Sequence, residues 1–349
     1  MPRTSNPDRL VTLDGSRGEG GGQILRTALT LSLVTGRPFR IVKVRQNRDK
    51  PGLRPQHLAA VEAAATLGAA EVAGAAIGSR DVTFRPGPYE ARDLSIDIGT
   101  AGSTAMVLQT LHLPLALRAQ GPVRLTLTGG TFNTKAPSFP FLDETWRRLL
   151  AAIGMPVTLA MPSAGYYPRG GGRLEAWIEP AKPRPWTYLE RGALTRIVGV
   201  AGITNLHDVR PRMRNQALER LEARGLTADI GLVEWPGVGQ GAAIALTAEH
   251  DGLPATFVGL GARGKPAEAV ADEAVDELLD YLDSEGAIDP HSADQILLPL
   301  ALAEGRSEYT VAAVTEHLRT NVETIRAFLD RPITIDGPGH SPSRVIVGP

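Results

Sequence analysis

The sequence predicts an α+β protein of three repeated units, each a β-sheet packed on paired helices, with a small α+β module inserted before the third. Three observations predict it. A pattern of apolar helix, short strand and second helix occurs three times along the chain. The interval before its last occurrence is too long by the size of a small domain, and turn-rich stretches flank the surplus.

The elements follow in order. "GGQILRTALTLSLVTG" (21–36) leaves a Gly-rich turn with helical apolar spacing and leads into the strand "PFRIVKVR" and the helix "RPQHLAAVEAAATLGA". "AGSTAMVLQTLHLPLALRAQG" (101–121) starts the same series, followed by "PVRLTLTGG" and "FLDETWRRLLAAIG". "SADQILLPLALAEG" (292–305) starts it a third time, followed by "EYTVAAVT" and "LRTNVETIRAFLD". From Ile24 to Val107 is roughly 83 residues and from Val107 to Ile296 roughly 189, a surplus of about 106 if the units are true repeats. "PAKPRPWTY" (180–188) and "DSEGAIDP" (283–290) suit the linkers. The expected organisation is therefore a core over 1–185, an inserted small α+β domain over 186–285, and a third core unit over 286–349.

Composition narrows the chemistry. A chain of 349 residues, 42% hydrophobic and 21% charged, can bury a sizeable core. Lys+Arg at 37 against Asp+Glu at 38 gives a net charge of -1, so any nucleic-acid site must be local. With Cys 0 there is no disulfide, thiol nucleophile or thiolate metal site, in keeping with a cytoplasmic location. The N-terminus has no apolar core of signal-peptide type. The apolar stretch near 105–117 is broken by Gln109, His112 and Pro114, so neither export nor a membrane span is expected.

"LDGSRGEGGGQILR" (13–26) is a glycine-rich turn before a helix, able to bring backbone N–H groups close to an anion or to serve only as a flexible turn. It is no Walker loop, and Gln23 stands where a dinucleotide fingerprint needs its third glycine. Glu19 would repel a phosphate unless a divalent cation stood between them. Arg37, Arg40, Lys43, Arg45, Arg48, Lys50 and Arg54 form a basic run that reads as a solvated face or as a polyanion groove ending at Gln56 and His57. "GYYPRGGGRLE" (165–175) and "GGTFNTKAPSFPF" (129–141), with Lys135 beside Pro137, are tight loops that suit a ligand rim or nothing in particular. No two of the seven histidines have a metal-ligand spacing, which argues against zinc. His317 falls between a strand and a helix, where a helix start favours a neutral, nucleophilic imidazole.

"DGSRGEGGGQILR", "RDKPGLRPQHL", "GSTAMVLQTL", "GYYPRGGG", "SADQILLPLAL" and "TEHLRTN" lie in one order along nearly the whole chain. Together they closely resemble the RNA 3'-terminal phosphate cyclases. The resemblance implies repeats like the C-terminal domain of a bacterial translation initiation factor, with a small domain between the second and third. It implies ATP, with Mg2+ or Mn2+, and RNA ending in a 3'-phosphate as partners, with no membrane and a homodimer left open. The histidine matching His317 would attack ATP to give a histidyl-AMP. The RNA phosphate would then take the AMP, and the vicinal 2'-hydroxyl would close a 2',3'-cyclic phosphate. By position, Glu19 and Asp294 match metal contacts, and Arg26, Gln109, Pro137, His291, Asp294 and Gln295 the nucleotide site. Arg45, Arg48, Gln56 and His57 match residues that handle substrate phosphates. His291 stands where the family often has an adenine-stacking tyrosine, and Ala164 where a basic residue commonly precedes the triple glycine. Two other classes fit the fold: a non-catalytic cyclase-like protein of ribosome assembly, which would lack the histidine, and an enolpyruvyl-transfer enzyme of related repeats, which would take no label from ATP.

Overall fold

The computed structural model describes residues 9–18, 21–337 and 342–349. Strand β1 (Val11–Asp14) runs into the glycine turn, then come α1 (Gln23–Thr35), β2 (Phe39–Val42), α2 (Pro55–Leu67), β3 (Glu71–Ala73) and β4 (Val82–Arg85). The second stretch holds β5 (Leu94–Asp97), α3 (Thr104–Arg118), β6 (Val123–Gly129), α4 (Phe139–Phe141), a π-helical turn (Leu142–Trp146), α5 (Arg147–Ala152), β7 (Val157–Ser163) and β8 (Gly172–Ile178). β9 (Thr187–Tyr188) is followed by β10 (Leu194–Thr204), α6 (Arg210–Glu222), β11 (Ala228–Glu234), β12 (Gly241–His250), β13 (Ala255–Leu260) and α7 (Ala267–Asp283). The chain closes with α8 (Ala293–Leu302), β14 (Ser307–Val311), α9 (Glu316–Phe328), β15 (Ile333–Asp336) and β16 (Ser343–Val347).

Among the described residues the protein is a mixed α+β structure of four small sheets. Three share one path. β1-β2-β4-β3, β5-β6-β8-β7 and β9-β14-β16-β15 each begin with a parallel pair and continue antiparallel. A parallel pair needs a crossover, and α1, α3 and α8 supply it. In the third sheet the crossover from β9 to β14 also contains the whole of β10 to α7.

Helix α1 is the centre of the core. Every residue in it except Arg26 and Thr35 is buried, because α2, α3 and α9 all pack on it. Each fully buried Leu or Ile there contributes about 1.5–3 kcal/mol. Such a helix must also satisfy its buried hydroxyls. Thr30 Oγ1 donates to the Thr110 carbonyl at 2.8 Å, the acceptor that Pro114 leaves open by lacking an N–H one turn later in α3. Gly36, in the left-handed region at φ 75°, closes α1 by donating its N–H to the Ser32 carbonyl. Arg37, first of the basic run, is buried and caps α9 by donating to the Phe328 carbonyl at 2.6 Å.

The sheet β11-β10-β12-β13 has its own apolar cluster, including Ile197, Met213, Leu221, Phe257, Val270 and Leu278. Central strand β12 is buried along nearly its whole length, since α6 and α7 cover one face and the π-turn region approaches the other. Thr145 of that turn donates to Thr256 Oγ1 at 2.9 Å. No helix among the described residues is long and apolar enough to cross a membrane.

Arg191 fastens the approach to this sheet. It donates to the carbonyls of Tyr281 (2.6 Å), Leu282 (2.8 Å), Ser284 (2.6 Å) and Gly286 (3.3 Å), which closes the C-terminus of α7. Arg191→Ala is expected to cost about 2 kcal/mol and to lower the midpoint of thermal unfolding by several degrees. An unchanged midpoint would mean that water serves those carbonyls equally well.

Candidate active site

Four helix starts meet in one cleft. α9 begins at Glu316 because Thr315 Oγ1 accepts the Leu318 N–H at 3.1 Å, so His317 lies in its first turn, several residues beyond the end of β14. His317 Nδ1 is 2.9 Å from Oε1 of Gln23, the first residue of α1. The Gln23 amide nitrogen donates at 2.5 Å to Asp294 Oδ2, in the first turn of α8. One helical turn further on each side, Asn321 donates to the Asp294 main-chain carbonyl at 2.8 Å and accepts from Thr27 Oγ1 at 2.8 Å. These two layers of polar contacts bind α1, α8 and α9 together at their N-termini.

Hydrogen-bond logic then fixes the imidazole. In its ionised form the Asp294 carboxylate only accepts, and with that form the Gln23 NH2 faces Asp294 and its oxygen faces His317. In that arrangement Nδ1 carries a proton, and a neutral form of the ring would have its lone pair on Nε2.

The glycine turn forms the anion side. A Cβ on Gly22 would lie 2.2 Å from His57 Nε2, and one on Gly21 would lie 3.1 Å from Arg48 Nη2. Backbone and cationic side chains touch there only because these residues are glycines. His57, third residue of α2, accepts the Arg54 N–H on Nδ1 at 3.2 Å, so its neutral ring presents an Nε2–H donor to the turn. Burial, reinforced by Arg26, Arg45 and Arg54, lowers its pKa from 6.5 to about 3, and it stays neutral at physiological pH. Burial also raises the Asp294 carboxyl to about 7, against the pull of Arg26. The Arg26 guanidinium is lowered by burial to about 10.

The nucleotide candidates are joined to one another and to α8. Gln109, in mid-α3, donates to Gln295 Oε1 at 2.5 Å, and Gln295 Nε2 donates to the His291 carbonyl at 2.7 Å. The His291 ring is exposed and faces Glu277 Oε2 at 3.2 Å, a contact that raises its pKa. Pro137 lies partly buried in the loop before α4, and no hydrogen bond among the described residues joins it to the cleft. Glu19 lies outside the described residues.

The basic run divides. Arg40 pairs with Asp81, Lys43 with Asp14, and Arg45 donates to the carbonyls of Lys50 and Gly52. Gln56 is also engaged within the protein, accepting the Ser103 N–H at 2.9 Å and donating to Met106 Sδ. Arg48 and His57 gather at the turn, where Arg26 of α1 joins them. Among the described residues no three His, Asp or Glu converge on a point that could hold a metal ion. Asp294 is a carboxylate in the cleft that suits a hard cation, and a cation of the Mg2+ type takes one or two carboxylates plus substrate phosphates. Sequence reasoning missed Gln23, Asn321 and Thr27. Asn321 had a signal, four residues after His317 on the same helical face.

A family model described as RNA 3'-terminal phosphate cyclase matches residues 17–335. The chain is similar to the RNA 3'-terminal phosphate cyclase of Ralstonia nicotianae, with 44% identity over 339 residues and 96% of each chain covered. It is also similar to that of Caldivirga maquilingensis, with 44% identity covering 93% of this chain and 94% of the other. The Archaeoglobus fulgidus protein of the same name is 41% identical, covering 94% of this chain and 98% of its own.

A pH-dependent stability follows from His57. Between about 6.5 and about 3 the unfolded chain binds the proton that the folded protein refuses, so stability falls as pH drops through that window. His57→Gln is expected to remove this part of the slope. The measurement is the wild-type minus variant difference in urea unfolding free energy at several pH values, and a difference independent of pH would overturn the assignment.

Proposed function

The chain belongs to the RNA 3'-terminal phosphate cyclase family and is an enzyme of that activity, and we propose that it works through a covalent nucleotide on His317. The observation that carries this reading is the Asp294–Gln23–His317 chain beside Arg26, Arg48 and His57. In the first step His317 Nε2 attacks the α-phosphorus of ATP. A P–N bond forms, the bond to pyrophosphate breaks, and the ring's new positive charge is met by Gln23 Oε1 at the Nδ1–H. An oxygen of the RNA 3'-phosphate then attacks the same phosphorus, and the imidazole leaves with its electron pair. Finally the vicinal 2'-hydroxyl attacks the 3'-phosphorus, closes the 2',3'-cyclic phosphate and expels AMP, its proton passing to solvent.

In this reading Gln109, Pro137, His291 and Gln295 take the adenosine, and Arg26 the ATP phosphates. Arg45, Arg48, Gln56 and His57 serve the RNA end, with His57 acting as a neutral donor and Arg45 and Gln56 also holding their loops. Asp294, with Glu19, would hold Mg2+ or Mn2+, which when bound neutralises phosphate charge during nucleotidyl transfer. We also propose that the three like-connected sheets are copies of one initiation-factor C-domain-like unit. Residues 1–185 and 286–349 would then be the core, 186–285 an inserted domain, and the cytoplasm the working compartment.

Incubation with ATP labelled at the α-phosphate is expected to leave an acid-labile, alkali-stable label on wild type and none on His317→Ala. Gln23→Ala is expected to slow labelling about a hundredfold through misorientation of the ring. Wild type that binds ATP but takes no label would refute the covalent route.

A further inference from the structure

Basic side chains that could guide a nucleic acid fall into two groups. Around α6 most arginines are paired, Arg210 with Asp208, Arg212 with Glu268, Arg220 with Asp272 and Asp276, and Arg224, just past its end, with Asp283, while Arg214 has no acidic partner among the described residues. That surface presents mainly paired charge. Lys135 and Arg169 belong to the unpaired group, both exposed and neither with an acidic partner among the described residues. Arg169 lies two residues from Tyr167, 83% exposed, and bonds the backbone of Val238, 61% exposed, two of the few large apolar side chains left in water, while Lys135 is on the loop whose Phe132 pairs with Tyr166.

These residues lie on three loops that are locked together. Ala164 pairs with Gly237, Phe132 with Tyr166, and Arg169 donates to the Val238 carbonyl at 3.2 Å. Beneath them Phe132 stacks on Tyr166 with centroids 4.8 Å apart and 3° between planes, and Trp235 covers Phe132 from the other side at 4.8 Å. The surface is also continuous with the cleft. Gln56 holds the Ser103 N–H, Asn133 holds the Ala101 carbonyl at 2.6 Å, and Gly170 approaches Thr100 and Ala101 so closely that a Cβ would clash.

We propose that single-stranded RNA leading to the reacting 3' end crosses this three-loop surface, with Tyr167 stacking on a base and Lys135 and Arg169 holding phosphates. The proposal rests on the cyclase reading of the cleft for the direction of the strand. An exposed aromatic ring on a rigid base, flanked by unpaired cations, suits a flexible polyanion whose bases are unstacked.

The test is fluorescence anisotropy with a 3'-phosphorylated RNA oligonucleotide of about ten nucleotides, a length typical of single-strand grooves. A dinucleotide 3'-phosphate serves as competitor, and ATP labelling of His317 is measured on the same preparations. Tyr167→Ala is expected to weaken oligonucleotide binding about fivefold or more. Arg169→Gln and Lys135→Gln should each reduce the slope of log affinity against log salt by about 0.7. Dinucleotide binding and ATP labelling should stay at wild-type levels. Lys182→Gln, beyond the far end of β8, should change nothing. Unchanged oligonucleotide affinity and slope in all three variants, with labelling intact, would refute the surface and leave the cyclase reading standing. Loss of binding in the variants of a wild type that takes no label would support the surface and sink that reading instead.

Discussion

The amide of Gln23 is the contact on which the rest of the site depends. It lies at the first residue of a helix buried on nearly every side, so its position is set by the core. From there it spans the gap between Asp294 and His317, which come from two other helices. An amide suits this place because one end donates and the other accepts, so Asp294 in its ionised form orients the whole chain out to the imidazole. Glutamate here would set two carboxylates against each other, and a shorter side chain would leave the gap open. The second layer, Thr27 to Asn321 to the Asp294 backbone, keeps the three helix starts in register.

The opposing anion site reaches its chemistry by a different device. Arg26, Arg48 and His57 crowd against a backbone with no side chains of its own. Burial keeps His57 neutral, and the positive charges of Arg26, Arg45 and Arg54 add to the effect. The site therefore offers two kinds of donor, charged guanidinium groups and one uncharged imidazole N–H. Asp294 is raised for the same first reason: its carboxyl is withdrawn from water, and Arg26, a backbone hydrogen bond and His291 offset the loss only in part.

Much of this was legible in the sequence, and what was not has a common cause. The helices carrying His317, Asp294, Gln109 and His57 stand out because apolar periodicity and glycine turns are local signals. The α+β class followed from the same signals. Gln23 was visible only as a residue spoiling a dinucleotide motif, since its two partners are some 270 and 290 positions away. The basic run read as one feature, yet Arg37 became a helix cap, Arg40 and Lys43 became ion pairs, and Arg45 became a loop brace. Charge density is a property of sequence, whereas the partner of each charge is a property of the fold. The π-helical turn at Leu142–Trp146 was likewise unreadable, because it accompanies a contact with the inserted sheet that no local propensity encodes.

That inserted sheet raises the question of how a domain-sized surplus can sit within one crossover without disturbing a site that needs sub-ångström placement. The segment leaving α7 is fastened before it reaches α8. Ala287 donates to Thr310 Oγ1, Ile288 to the Thr310 carbonyl, and Ala312 back to the Ile288 carbonyl, so the chain is zipped to β14. Asp289 then accepts the N–H groups of His291 and Ser292 and starts α8 independently of what came before. Past this clamp, the ion pair between Glu277 and His291 links insert to cleft, with both side chains more than half exposed. Such a pair contributes at most about 1 kcal/mol. The start of α8 is thus set by its own contacts, while the sheet is joined elsewhere, through Thr145 to Thr256 and through Trp235 against the stacked pair Phe132 and Tyr166. With the chain's return fixed at β14, the Asp294–Gln23–His317 contacts are set by α1, α8 and α9.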